Sequence, residues 1–300
     1  MGIVVASAAV QRALYAPAFW RDASARVLFI GSSHIGNGIG LALPEYGPEV
    51  AVLHYPGMDA ALASAAYLRN AERWPALSVV VLELDEFVLQ SDMERSRQLD
   101  MSSFATRLGL DVWDLPSFGR EPERLWWRLQ NLLSGRGTLL TQPDFRYSLP
   151  AVLQRNHRTK EVFASVSPAP APVVFDRSKG AARVKFIEGL KRANIDDNVQ
   201  AFAGLVRELR RRGIRVVFLT VPTHEAYTVL RPPEWDELLR RAADQAQKAA
   251  GGEIPWWQLR SDPRFADEVL FQNLDHLNRE GARELAKVLK PRLESVLSDQ

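Results

Sequence analysis

Short apolar runs alternate with longer stretches of helical spacing along most of this chain. Val27 to Ile30 is the first strand candidate, and "EVAVLHY" (Glu49 to Tyr55) the second, followed by the Ala-rich helical stretch "DAALASAAYLRNAERW". "LSVVVLEL" (Leu77 to Leu84) is apolar enough to be buried on both faces, as parallel strands are. In "IDDNVQAFAGLVRELRRRG", Val199, Phe202, Leu205, Val206 and Leu209 recur three and four apart, which predicts an amphipathic helix. Asn194 or Asp196 could cap its start and Gly213 its end. "IRVVFLTVP" predicts a fourth strand, "EWDELLRRAADQAQKAAGG" a helix, "EIPWWQL" a weaker fifth strand and "NREGARELAKVLKPRLESVL" a closing helix. This alternation implies βαβ units, hence a three-layer α/β/α sandwich with a doubly wound, mostly parallel five-stranded sheet. Such sheets bind ligands outside the carboxyl ends of their strands.

The alternation fails between about Phe87 and Ile195. That stretch holds the aromatic-rich "EPERLWWRLQNLL" and the extended tract "SPAPAPVV" (Ser167 to Val174). The chain therefore reads as a single domain over 1–300 carrying a helical insertion at about 88–193, above the sheet. Its Trp126 and Trp127 either line a substrate groove or pack the helix that bears them.

Composition narrows the function classes. An apolar fraction of 46% and a charged fraction of 25% suit a soluble globular protein. A net charge of +2, mixed along the chain, argues against a nucleic-acid partner. The main basic cluster, "RELRRRGIR" (Arg207 to Arg215), falls at a helix C-terminus, where cations are favoured. With no cysteine, disulfides, thiolate catalysis and Cys-based zinc sites are excluded. The N-terminal "MGIVVASAAVQRALYAPAFW" lacks a basic leading segment and is interrupted by Gln11 and Arg12, so it predicts neither a signal peptide nor a span of about 20 apolar residues. The compartment and the oligomeric state stay open.

The first strand ends in "GSSH". A serine after a tight Gly turn can expose its hydroxyl beside the free N–H groups of a following helix, which suits Ser33 as a nucleophile. The rival reading, favoured by this segment taken alone, is that Ser32 or Ser33 merely caps that helix. A serine nucleophile needs a base. Of five histidines, His276 lies in the loop before the last helix, which emerges at the same sheet edge. His224, leaving the fourth strand, could line a pocket there, and His34 is placed to face the insertion.

"FIGSSH", "GMDAA", "LELDEF" and "FQNLDHLNREGA" occur in the order and approximate spacing of the SGNH (GDSL-like) hydrolase superfamily, which the chain resembles throughout except in the insertion. It looks closest to the divergent bacterial cell-envelope branch that includes DltD-like proteins. The resemblance implies a flavodoxin-like sheet, Ser33 as nucleophile, His276 as general base, and the backbone N–H groups of Ser33 and Gly57 as oxyanion donors. It implies an esterase or O-acyltransferase acting on an acylated carbohydrate or small ester, with envelope or membrane association and no metal or organic cofactor.

Two positions depart from the family pattern. The third block normally carries an asparagine donor, but this chain reads "ELDEF"; Asp85 stands there and is assigned, with His34 and His224, to the substrate pocket. The family's acid three residues before the histidine is replaced by Asn273, while Asp275 directly precedes His276, so either could orient the imidazole. These departures keep a second expectation open, a catalytically inactive relative that binds glycan or scaffolds an envelope assembly. A nucleotide-binding module is disfavoured, since no Gly-rich phosphate loop follows the first strand.

Overall fold

A computed structural model describes residues 24–92, 108, 110, 175–189 and 195–298. Along these residues the elements are β1 (Val27–Gly31), α1 (Ser33–Gly38), α2 (Leu43–Tyr46), β2 (Val50–His54), α3 (Ala60–Asn70), β3 (Val79–Glu83) and α4 (Glu86–Gln90). They continue with α5 (Arg177–Glu188), α6 (Ile195–Arg211), β4 (Arg215–Thr220), α7 (Glu225–Thr228), α8 (Pro233–Ala250), β5 (Trp256–Gln258) and α9 (Arg279–Ser298). The strands form one sheet in the order β2-β1-β3-β4-β5. All four pairings are parallel, so the expected "mostly parallel" sheet is parallel throughout.

The strands form where both faces can be covered. Val27, Phe29, Val79, Val81, Val217 and Leu219 point into one apolar layer, closed by Ile35 and Ile39 near β1 and by Leu285 and Leu289 of α9. Their neighbours Leu28, Ile30, Val80, Leu82, Val216 and Phe218 point the other way, against α3, α6 and α8. Each such side chain removed from water contributes about 1.5–3 kcal/mol before entropy is counted. The result is the expected three-layer α/β/α arrangement. Strand order 2-1-3-4-5 puts the topological switch between β1 and β3, and the crevice outside their carboxyl ends is where such sheets hold ligands.

Local signals mostly act as the sequence suggests. The predicted stripe of α6 is buried from Val199 to Leu209, and Gly213 ends the segment with φ +75°. Asp196 sits inside the first turn rather than capping it, where its charge favours the helix N-terminus; Asn194 lies outside the described residues. The stretch assigned to the insertion also lies largely outside them, Trp126, Trp127 and the Pro/Ala tract included. Its described parts join the body of the domain: Leu108 and Leu110 are buried beside α3, and α5 packs on α7. Among the described residues no helix is long and apolar enough to cross a membrane.

Candidate active site

The exit of β1 is built around a missing side chain. A Cβ on Gly31 would lie 2.1 Å from Glu83 Oε2 and 2.5 Å from Ile35 Cγ1, so only glycine lets that carboxylate pass beneath the turn. Glu83 Oε2 accepts from the Ser32 N–H at 2.5 Å, and its Oε1 accepts from Ser32 Oγ at 2.9 Å. Ser32 Oγ in turn accepts the His34 N–H at 3.3 Å, the N-cap contact of α1. The two serines thereby divide the two roles. Ser32 caps and is fully buried, while the half-buried Ser33, first residue of α1, has its hydroxyl 2.8 Å from His276 Nε2.

His276 is held by a short closed loop. Phe271 and Leu277 form an antiparallel bridge, and the Gln272 N–H donates to the His276 carbonyl at 2.9 Å. Asn278 caps α9 by accepting from the Glu280 and Gly281 N–H groups at 2.9 and 3.1 Å. The His224 N–H donates to the Leu274 carbonyl at 2.8 Å and fastens the loop to the exit of β4. Asn273 Oδ1 gathers the Asp275 and His276 N–H groups at 3.1 and 3.0 Å and lies 2.9 Å from His276 Nδ1. Asp275 Oδ1 is 3.2 Å from the same nitrogen. Both sequence candidates therefore serve Nδ1, the asparagine more closely and the aspartate with charge. A proton on Nδ1 donated to them leaves the Nε2 lone pair facing Ser33 Oγ, the tautomer a general base requires.

Behind this pair lies a buried polar network. Asp275 Oδ2 is ion-paired with Arg183 Nη2 of α5 and lies 3.2 Å from His34 Nε2. His34 Nδ1 is 2.8 Å from Glu83 Oε1 and 2.6 Å from Asp85 Oδ2. Asp85 Oδ1 accepts the Val88 N–H at 2.8 Å and so caps α4. Charge follows from these contacts. Burial raises the Glu83 carboxyl to about 7, assisted by Asp85 beside it. Burial opposes ionisation of Asp85 and Asp275 too, but in each the histidine partners win and hold the carboxyl low. Burial would lower His34, yet its carboxylate neighbours raise it well above the usual histidine range. His276 is lowered, chiefly by burial and then by the His34 and Arg183 charges, against the pull of Asp275. It is thus held neutral at pH 7.

The three residues assigned to the substrate pocket are placed otherwise. His34 and Asp85 are 6% and 3% exposed and belong to the network. Asp85, at the position of the absent asparagine, has both oxygens committed to Val88 and His34. His224 is buried between Phe175 and Phe271, with ring centroids 4.8 and 5.6 Å away, and its Nδ1 accepts the Ala226 N–H to cap α7. Gly57 occupies the turn leaving β2 at φ +81°, closed by the Met58 N–H to Tyr55 carbonyl bond at 2.9 Å, and its own carbonyl accepts from Ser91 Oγ at 3.3 Å.

Sequence reasoning missed Arg183, Glu83 and Glu86. Arg183 comes from a helix whose buried positions are Gly180, Val184 and Ile187, a stripe too thin to stand out. Glu83 and Glu86 had a signal, because "LELDEF" sets three acids at the end of an otherwise apolar strand. Glu86 is 2% exposed and binds Arg231 at 2.8 Å, Arg260 at 2.6 Å and the Tyr227 hydroxyl at 2.5 Å. Two sets of donors, His34/Glu83/Asp85 and His34/Asp275/His276, lie within 4.8 Å of one another, close enough for a metal ion. Hydrogen bonds and the Arg183 guanidinium already match them. No protein-family model matches the chain, and comparison with curated proteins finds no match either.

Proposed function

We propose that the protein is a serine-dependent esterase or O-acyltransferase of SGNH type. The observation that carries this reading is the 2.8 Å contact from Ser33 Oγ to His276 Nε2, with Nδ1 anchored on its far side by Asn273 and Asp275. Ser33 Oγ attacks the ester carbonyl as His276 takes its proton, an assistance of about 10²–10⁴-fold. The tetrahedral oxyanion is received by the backbone N–H groups of Ser33 and Gly57. Collapse of the intermediate breaks the C–O bond, and His276 returns its proton to the departing alcohol. Water or an acceptor hydroxyl, deprotonated by His276, then attacks the acyl-enzyme and frees Ser33. An acylated carbohydrate as substrate rests on the sequence resemblance.

The hole lacks the side-chain donor usual at the third block, a loss of about 10²–10³ in turnover where such donors have been removed. That observation supports the second reading, a protein that binds glycan without turning it over. A fluorophosphonate probe separates the two. Labelling at Ser33, absent in Ser33→Ala and slowed in His276→Gln, with release of the aryl alcohol from an aryl acetate, is the expected result. A wild-type protein that takes no label and turns over no aryl ester decides for binding.

A further inference from the structure

We infer that His34 is a doubly protonated positioning residue, which fixes the Asp275 carboxylate so that one of its oxygens faces His276. The inference rests on the reading of Ser33 and His276 as nucleophile and base, and deepens it. Its basis is the set of atoms around the ring. Nδ1 faces Glu83 Oε1 at 2.8 Å and Asp85 Oδ2 at 2.6 Å, while Nε2 faces Asp275 Oδ2 at 3.2 Å. Asp85 and Asp275, one at each ring nitrogen, are held ionised and can only accept. A neutral imidazole has one N–H and one lone pair, and would turn that lone pair toward an oxygen; only the imidazolium donates from both nitrogens. The ring is 6% exposed, too enclosed for solvent to relieve such a mismatch cheaply.

The charges around His34 balance on this assignment. The exit of β3 presents Glu83 and Asp85, the loop before α9 presents Asp275 and His276, and α5 brings Arg183 to the same Asp275 oxygen. Phe87 lies edge-on to the ring with its centroid 6.3 Å away, and the His276 ring is tilted against it at 4.9 Å. With Glu83 retaining its proton, two carboxylates face two cations and the buried network is neutral. Two cations pin Asp275 Oδ2, so Oδ1 is left to meet His276 Nδ1. This is how an acid directly adjacent to the histidine in sequence, where neighbouring side chains ordinarily diverge, can serve it. His34 touches no reacting atom; it acts through Asp275.

The experiment uses the full chain labelled with ¹⁵N-histidine. In the wild type, both ring nitrogens of His34 should stay protonated between about pH 5 and 8, the window in which ordinary histidines lose their charge. A neutral His34 tautomer at pH 7 overturns the inference, whatever the protein's activity. In His34→Gln, His276 should titrate at higher pH, since a positive neighbour is gone and Asp275 is less neutralised. The rate of fluorophosphonate labelling should fall by about 10–100-fold, the order seen when the hydrogen-bond partner behind a metal-ligating histidine is removed. Its acidic limb should move upward in pH with His276. A merely structural residue would lower the rate without moving the limb, and an unmoved limb overturns the proposal. Should His34→Gln not fold, the wild-type spectrum still decides. A wild-type protein that takes no label defeats the esterase reading, while the spectra judge His34 separately.

Discussion

At the scale of single residues, adjacent side chains of one type do unlike work. Ser33→Ala should abolish labelling while leaving the melting temperature nearly unchanged. Ser32→Ala, which removes an N-cap and a donor to Glu83, should cost about 0.5–2 kcal/mol by chemical denaturation. If Ser32→Ala abolishes labelling without loss of stability, the division of labour is wrong. The acids of "LELDEF" give a second contrast. Burial places Glu83 in the folded state at about 7, above its ordinary 4.5, so the folded protein holds that proton more tightly than the unfolded chain. Its contribution is complete below about pH 4.5 and is lost as pH rises through about 7. Glu83→Gln cannot ionise, and its stability relative to wild type should improve across that interval; parallel urea midpoints at pH 5 and pH 8 would refute this. Glu86→Gln, three positions on, should instead destabilise by about 3–5 kcal/mol, because Arg231 and Arg260 lose their shared carboxylate in a buried setting. In sequence these acids differ only by what surrounds them in space. The asparagine missing from this motif was legible; the cations that claim its acids were not.

Among the elements, α5 connects the site to the rest of the fold. Gly180 lets it approach α7 so closely that a Cβ would lie 2.0 Å from the Ala226 carbonyl oxygen, and one turn later Arg183 reaches Asp275. Gly180→Ala must push the helix outward. We expect a loss of about 1–3 kcal/mol, as for other overpacked contacts, together with slower labelling of Ser33. Unchanged labelling kinetics would show that Arg183 does not matter to the base. The sheet and the amphipathic helices α6 and α8 were legible because each buries a long apolar face that repeats at its own period. α1 spans six residues, too few for a period to register, and α5 contacts its neighbour through a glycine, which carries no hydropathy signal. Close backbone approach is a strong structural force that leaves almost no trace in an apolar pattern.

Over the whole molecule, the site joins parts of the chain that are 243 positions apart. Parallel topology makes the juxtaposition possible, since every strand exit opens on one rim, and Ser33 leaves the strand beside the switch point. The general location was therefore readable from element order, whereas the buried network that positions His276 was not, because it is assembled from α1, the exit of β3, α5 and the loop before α9. Such a site should fail as a unit. In urea, labelling of Ser33 and far-UV ellipticity should share one midpoint; loss of labelling well before the sheet melts would mean that the 271–277 loop opens on its own. The same separation imposes an order on biosynthesis. A ribosome delivers Ser33 ahead of His276 by 243 positions, so on the proposed reading a nascent chain carries an inert alcohol until the histidine follows. On the proposed reading, acyl chemistry thereby waits until the two distant loops have met.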